Sequence, residues 1–152
     1  MNHSEADRAV SKGERIAAMI DKAKVLFICN GNSGRSQLAE ALLRMLAGDR
    51  YEVFSAGVVP GEVSSYAIRV MGELGVDMSG HYAKSIDGFK DVIFDRVVTV
   101  CDKARETCPY FPGKEVMHHS FSSAATEGTE EEILASFRAV RDEIRNWLEH
   151  NF

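Results

Sequence analysis

Val25-Leu26-Phe27-Ile28 is an unbroken apolar run ending at Cys29, and a short continuous run of this kind reads as a strand buried on both faces. The spacing predicts a strand over about 24–29, then a helix over about 36–47 carrying Gln37-Leu38-Ala39-Glu40-Ala41-Leu42-Leu43. Tyr51-Glu52-Val53-Phe54-Ser55-Ala56 predicts a second strand ended by Gly57, and a helix follows over about 63–74, ended by Gly75. The polar segment from Asp77 to Phe89 reads as a loop over the sheet edge. Arg96 to Cys101, with Val97-Val98-Thr99-Val100 inside it, reads as another fully buried strand, and Val116-Met117-His118 as a short fourth. The chain closes with a helix over about 129–149, where Thr129 and Glu132 form a capping-box pattern. Its Ile133, Leu134, Phe137, Val140, Ile144, Trp147 and Leu148 recur at helical spacing and are expected to face the sheet. Residues 5–22 read as an amphipathic helix with Ala9, Ile16, Met19 and Ile20 on one face; packing across the sheet and projecting to a partner both remain open.

Strands alternating with helices predict an α/β fold: a single-domain three-layer αβα arrangement around a four-stranded parallel sheet. The expected division is an N-terminal helical extension over 1–22 and one globular domain over 23–152. Ligands in such sheets sit at the carboxyl ends of strands, where both Cys29 and Cys101 fall. With 45% hydrophobic and 27% charged residues, the 152-residue chain is long enough for a self-sufficient core. A net charge of −5 gives no general basic surface, so no nucleic-acid partner is expected. No apolar stretch approaches the roughly 20 residues of a membrane span, and the first residues lack a signal-peptide pattern. The expectation is a cytoplasmic monomer without a membrane partner, whose three cysteines stay as thiols.

Chemistry concentrates in Cys29-Asn30-Gly31-Asn32-Ser33-Gly34-Arg35-Ser36, a strand end, a tight loop and a helix start. A helix N-terminus leaves N–H groups unpaired and attracts tetrahedral anions. Gly31 and Gly34 are expected to let the backbone curl into a nest, and Arg35 to add a planar fork for two oxygens. The same positive surroundings favour thiolate over thiol at Cys29 and make it a nucleophile. The bland alternative is a buried strand-end cysteine beside an ordinary turn. A nucleotide P-loop is excluded, because no Gly-Lys-Ser/Thr follows the glycines.

Cys101 and Cys108 are seven residues apart. On one helix they would lie about 10.5 Å apart along the axis, beyond the roughly 7 Å that a disulfide allows. A bond between them requires the intervening turn to melt, and Pro109 already disfavours helix at Cys108. A zinc site drawing on His118 and His119, or two unrelated core cysteines, stand as alternatives.

The combination of Cys29-x5-Arg35-Ser36, Gln37-Leu38-Ala39-Glu40-Ala41, Val98-Thr99-Val100-Cys101-Asp102, Cys108-Pro109 and Phe137-Arg138-x-Val140-Arg141-Asp142-Glu143-Ile144 resembles the thioredoxin-coupled arsenate reductases over about residues 24–149. These share the low-molecular-weight protein tyrosine phosphatase fold. The resemblance implies reduction of arsenate to arsenite by a relay of Cys29, Cys101 and Cys108, with thioredoxin as reductant and no metal or cofactor. It implies catalytic roles for Cys29, Arg35, Ser36, Cys101 and Cys108, and substrate binding by Asn30, Gly31, Asn32, Ser33, Gly34 and Arg35. Ser36 would steady the Cys29 thiolate, and Asn32 would brace the loop. In some relatives the residues matching Asn32, Glu40, Ser55 and Asp77 surround a potassium ion, which is not expected in this chain.

One departure matters. Relatives carry His-Trp-Gly-Phe followed by an aspartate that protonates the departing oxygen, whereas this chain reads His118-His119-Ser120-Phe121-Ser122-Ser123-Ala124-Ala125. Ser123 stands where the acid is expected, and a hydroxyl is too weak an acid to replace it. Phosphatase activity should therefore be poor. His119 and Glu127 are the candidate substitutes, against the simpler view that they are solvated loop residues. His81 and Tyr82 either shape access to the site or pack the loop locally. A low-molecular-weight phosphatase and a non-catalytic oxyanion or redox sensor are the competing functions.

Overall fold

Four parallel strands, β1 (Ala23–Cys29), β2 (Tyr51–Gly57), β3 (Phe94–Thr99) and β4 (Gly113–His118), form one sheet in the order β2-β1-β3-β4. The structure is a computed structural model and describes residues 22–107 and 111–152. Val25, Leu26, Phe27 and Ile28 of β1 are all fully buried. Successive strand side chains point to opposite faces, so both faces of the central strand are covered. Burial of each such side chain contributes about 1.5–3 kcal/mol, which makes β1 a firm platform for the loop that leaves it.

Among the described residues four α-helices surround the sheet: α1 (Arg35–Ala47), α2 (Ser65–Gly72), the short α3 (Asp102–Thr107) and α4 (Glu130–Asn151). α1 packs on β1, β2 and α4, while α3 sits on β1 and β3. Leu38, Leu42 and Leu43 of α1 and Ile144 and Leu148 of α4 are buried in the shared core. α4 begins as its sequence predicts: Thr129 Oγ1 accepts from the Glu132 N–H at 3.2 Å, and the Glu132 carboxylate answers the Thr129 backbone. Its Phe137 and Trp147 are only partly buried, and the Trp147 and Phe152 rings continue the core to Phe27 of β1.

Several boundaries differ from the sequence expectation. α2 is shorter than 63–74, because Ser64 caps its start and Gly75 leaves the helical region at φ +77°. β3 starts at Phe94 and ends at Thr99, although apolar burial continues through Val100 and Cys101. β4 runs from Gly113, where the polar Lys114 and Glu115 of this edge strand hide it from a hydrophobic pattern. The segment expected as plain loop contains a 3₁₀ turn, Ile86–Phe89, and a parallel bridge from Ser85 to Gly57. Apart from Lys22, the helix expected over 5–22 lies outside the described residues, and so does Cys108.

Candidate active site

Cys29 closes β1, and its Sγ lies 3.1 Å from the backbone N–H of Asn32 and 2.8 Å from Ser36 Oγ. The left-handed residue of this loop is Asn32, at φ 51°, and neither Gly31 nor Gly34 has a positive φ. The expected role of the two glycines is thus corrected: asparagine tolerates this region and can anchor itself there by its side chain. Asn32 is fully buried, and its Oδ1 accepts from the Lys84 N–H at 2.8 Å and from Gln37 Nε2 at 3.0 Å. Its Nδ2 therefore faces Ser36 Oγ at 2.8 Å and Ser55 Oγ at 2.9 Å and donates to both.

That polarity fixes the Ser55 proton. Ser55 gives its hydroxyl proton to Glu40 Oε1 at 2.5 Å. Ser36, held by the Asn32 amide, can direct its own proton at Cys29 Sγ once that sulfur is a thiolate. Hydrogen bonds to a charged acceptor are worth about 1.5–3 kcal/mol, so Ser36 is more than a helix-start serine. Gly34 precedes α1 without any side-chain cap, so the first-turn N–H groups are not consumed by a capping side chain. Arg35 Nη1 donates to the Phe121 carbonyl at 3.0 Å, which ties the guanidinium to the segment after β4.

These residues open on a cleft of about 260 Å³. Cys29, Asn30, Gly31, Ser33, Gly34 and Arg35 line one side, and Leu38, Phe137 and Val140 line an apolar side. Asn32, expected among the substrate contacts, lies behind this wall and supplies the loop's frame. Ser123, Ala124 and Thr126 also line it, and among the described residues the lining includes no carboxylate or imidazole. His119 stacks on Trp147 with ring centroids 4.8 Å apart, and neither His119 nor Glu127 lines the cleft. Both substitutes for the missing acid therefore fall away.

Three supports of the loop had no signal in the motif itself. Gly57, at the end of β2, passes so close that a Cβ there would meet Asn32 N at 2.8 Å and Asn30 O at 2.9 Å. The 81–84 segment straps the loop from outside: Gln37 Nε2 donates to the Tyr82 carbonyl at 3.0 Å, and the Lys84 N–H reaches Asn32. Because Gln37 Nε2 also donates to the Asn32 carbonyl, its Oε1 must accept, and His81 Nδ1, 2.8 Å away, carries the proton. Burial pushes the His81 pKa below its ordinary value, against the pull of Glu40. His81 and Tyr82 thus pack the strap and do not line the cleft.

Of Asn32, Glu40, Ser55 and Asp77, the first three are joined by hydrogen bonds through the Ser55 hydroxyl. Glu40 is already answered by Arg44 Nη2 at 2.9 Å and Lys84 Nζ at 3.5 Å. Asp77 instead accepts the Ser79 N–H at 2.8 Å.

Cys101 is buried at the end of β3, beside the strand that carries Cys29. The Val100 N–H donates to the Ile28 carbonyl at 2.9 Å, so the residues preceding both cysteines are bonded to each other. Cys101 Sγ accepts the Ala104 N–H at 3.4 Å and so caps α3. His118 and His119 make other contacts, and among the described residues no three His, Cys, Asp or Glu side chains are grouped to hold a metal ion.

The family model for low molecular weight phosphotyrosine protein phosphatase matches residues 24–150. The chain belongs to that family. An arsenate reductase of Halalkalibacterium halodurans is 42% identical over 127 residues, which cover 82% of this chain and 91% of that protein. A solved arsenate reductase in its oxidized state superposes with a TM-score of 0.68 at 28% identity, over 84% of this chain and 94% of that one. The thioredoxin-dependent arsenate reductase of Corynebacterium glutamicum gives a TM-score of 0.60 at 29% identity, over 97% of this chain and 68% of that one. Within the phosphatase family the similarity thus extends to enzymes named for reducing arsenate, and the four-stranded α/β fold is the family's own.

Proposed function

We propose that this chain reduces arsenate to arsenite, with Cys29 as nucleophile and Cys101 and Cys108 as the thiols that carry the oxidising equivalents away. The Cys29 thiolate attacks arsenic(V), one oxygen leaves as water, and Arg35 with the loop amides holds the remaining oxygens. The Cys101 thiolate then attacks Cys29 Sγ. A sulfur–sulfur bond forms, the arsenic–sulfur pair passes to arsenic, and arsenite departs. Cys108 attacks Cys101, which frees Cys29 and leaves a Cys101–Cys108 disulfide. A dithiol of the thioredoxin class reduces that bond, so two electrons enter for each arsenate.

The observation that carries this reading is a nucleophile cleft with no acid among the described residues that line it, backed by a second buried thiol just past the end of the neighbouring strand. A phosphate ester needs its leaving alkoxide protonated. Arsenate loses an oxygen that water itself can protonate. Likeness to the Corynebacterium glutamicum enzyme supports thioredoxin as the reductant. The protein is proposed to act as a cytoplasmic monomer, with residues 1–22 as an extension preceding the catalytic domain.

The test follows NADPH consumption with arsenate, thioredoxin and thioredoxin reductase. Wild type should turn over only with arsenate present, while Cys29→Ser, Cys101→Ser and Cys108→Ser should each fall to background. No arsenate-dependent turnover by wild type would sink the proposal. Full turnover by Cys101→Ser would sink the relay. Hydrolysis of p-nitrophenyl phosphate surviving in both distal variants, without arsenate turnover, would favour the phosphatase.

A further inference from the structure

Cys101 sits between two residues that are held by a single imidazole. Thr99, two positions before it, meets His118 Nδ1 through Oγ1 at 2.7 Å. Asp102, one position after it, meets His118 Nε2 through Oδ1 at 3.1 Å. Thr99 and His118 are partners across the β3–β4 ladder, so the first contact alone would be an ordinary cross-strand pair. The second leaves the sheet and ties down the first residue of α3.

Stability does not account for this clasp. Asp102 is exposed, and a contact between a surface carboxylate and an imidazole contributes only about 0–1 kcal/mol. What the clasp fixes is direction. A helix of six residues cannot hold its own start by backbone bonds alone. The Val100 N–H anchors the chain before Cys101 to Ile28 of β1, and His118 anchors the chain after it. The sulfur between them is held beside the end of the strand that carries Cys29.

We propose that His118 is a positioning residue for the second step of the relay: it orients Cys101 for attack on the Cys29 sulfur and keeps the start of α3 in place while Cys101 reacts. This rests on the arsenate-reducing relay proposed above. The step itself is the one already balanced, in which the Cys29–Cys101 bond forms, the arsenic–sulfur bond breaks and arsenite leaves with the electron pair. His118 touches neither arsenic nor the attacking sulfur. Its effect is through geometry, where a displacement of about 1 Å costs on the order of a hundredfold in rate.

The experiment uses the full chain with Cys108→Ser, which stops the relay at Cys29–Cys101, and compares it with the same chain also carrying His118→Ala. Three quantities are read: arsenite released in a single turnover, the equilibrium of the Cys29–Cys101 disulfide against dithiothreitol, and the alkylation rate of Cys29 by iodoacetamide. His118→Ala should slow arsenite release at least tenfold and weaken the disulfide, each tenfold loss raising its potential by about 30 mV. Cys29 alkylation should not change. Asp102→Ala should give a similar loss that does not add to that of His118→Ala, and His118→Gln, which can still reach Asp102, should recover part of it. A lower melting temperature with unchanged release rate and potential, in either His118→Ala or Asp102→Ala, would overturn the proposal. If the chain releases no arsenite at all, the relay fails on its own, and the dithiothreitol equilibrium still decides whether His118 orients Cys101.

Discussion

The Asn32 side-chain amide donates to Ser36 Oγ at 2.8 Å and holds that hydroxyl beside the nucleophilic sulfur. Ser36 keeps its own proton free, and a Cys29 thiolate, which has no proton to give, receives it across 2.8 Å. Three buried residues of one loop thus form a polarised chain that ends on the nucleophile.

Ser36→Ala should therefore cost more than a surface hydrogen bond. A donor to a charged acceptor is worth about 1.5–3 kcal/mol, so arsenate-dependent kcat/KM should fall roughly tenfold to a hundredfold. Cys29 should also react more slowly with iodoacetamide at neutral pH. Equal alkylation rates in the variant and wild type would show that the Ser36 proton does not serve the sulfur.

Gly57→Ala tests the frame from the other side. Its Cβ would lie 2.8–2.9 Å from backbone atoms of Asn30 and Asn32, which cannot swing away as a side chain would. Overpacking of this kind costs about 1–3 kcal/mol. The loop should shift while the sheet persists, with most arsenate turnover lost and the circular dichroism spectrum kept. Wild-type turnover would show that the loop has slack the geometry denies.

The loop motif and the long apolar strands were legible in the sequence because both rest on local chemistry: Cys29 to Arg35 is one turn, and β1 is four apolar side chains in a row. The helix cap at Thr129 and Glu132 was legible for the same reason. What supports the loop was not. Gly57, Gln37 and the Lys84 N–H reach Asn32 from distant or unremarkable positions, and a backbone donor leaves no mark in a sequence. Glycine is the usual occupant of a left-handed position, so the two glycines draw the eye, whereas Asn32 holds that conformation through four side-chain hydrogen bonds. The edge strand β4 was half hidden because its outer residues are polar.

His81 should impose a pH dependence on stability. Burial lowers its pKa in the folded state, so below about pH 6.5, the ordinary histidine value, the unfolded chain binds more protons than the folded one. Stability then falls as pH drops through that value and levels off below the depressed folded pKa. Glu40, Arg44, Lys84 and Asp77 all face this imidazole, and Glu40 opposes the effect while Arg44 and Lys84 reinforce it. Urea midpoints measured between pH 8 and pH 5.5 should decline in wild type, and the decline should be shallower in His81→Gln. Parallel curves for the two proteins would assign the slope to other groups.

Ser123→Asp probes what the cleft lacks. Ser123 lines the cleft with Arg35 and offers only a hydroxyl, and among the described residues no carboxylate stands elsewhere in the lining. A positioned general acid contributes about a hundredfold to ten-thousandfold. If the missing acid is what suppresses phosphate-ester hydrolysis, the new carboxyl should raise turnover of p-nitrophenyl phosphate by at least tenfold. The gain should fade as pH rises and the carboxyl loses its proton. Arsenate reduction should change far less, because its departing oxygen is protonated by water. The neighbouring backbone favours a clean test: the Ser122 N–H is held by the Glu143 carboxylate at 3.2 Å, so the segment is already anchored one residue away. An unchanged hydrolysis rate in a folded, arsenate-active Ser123→Asp protein would place the block elsewhere, at the apolar wall of Leu38, Phe137 and Val140 that an ester group must pass.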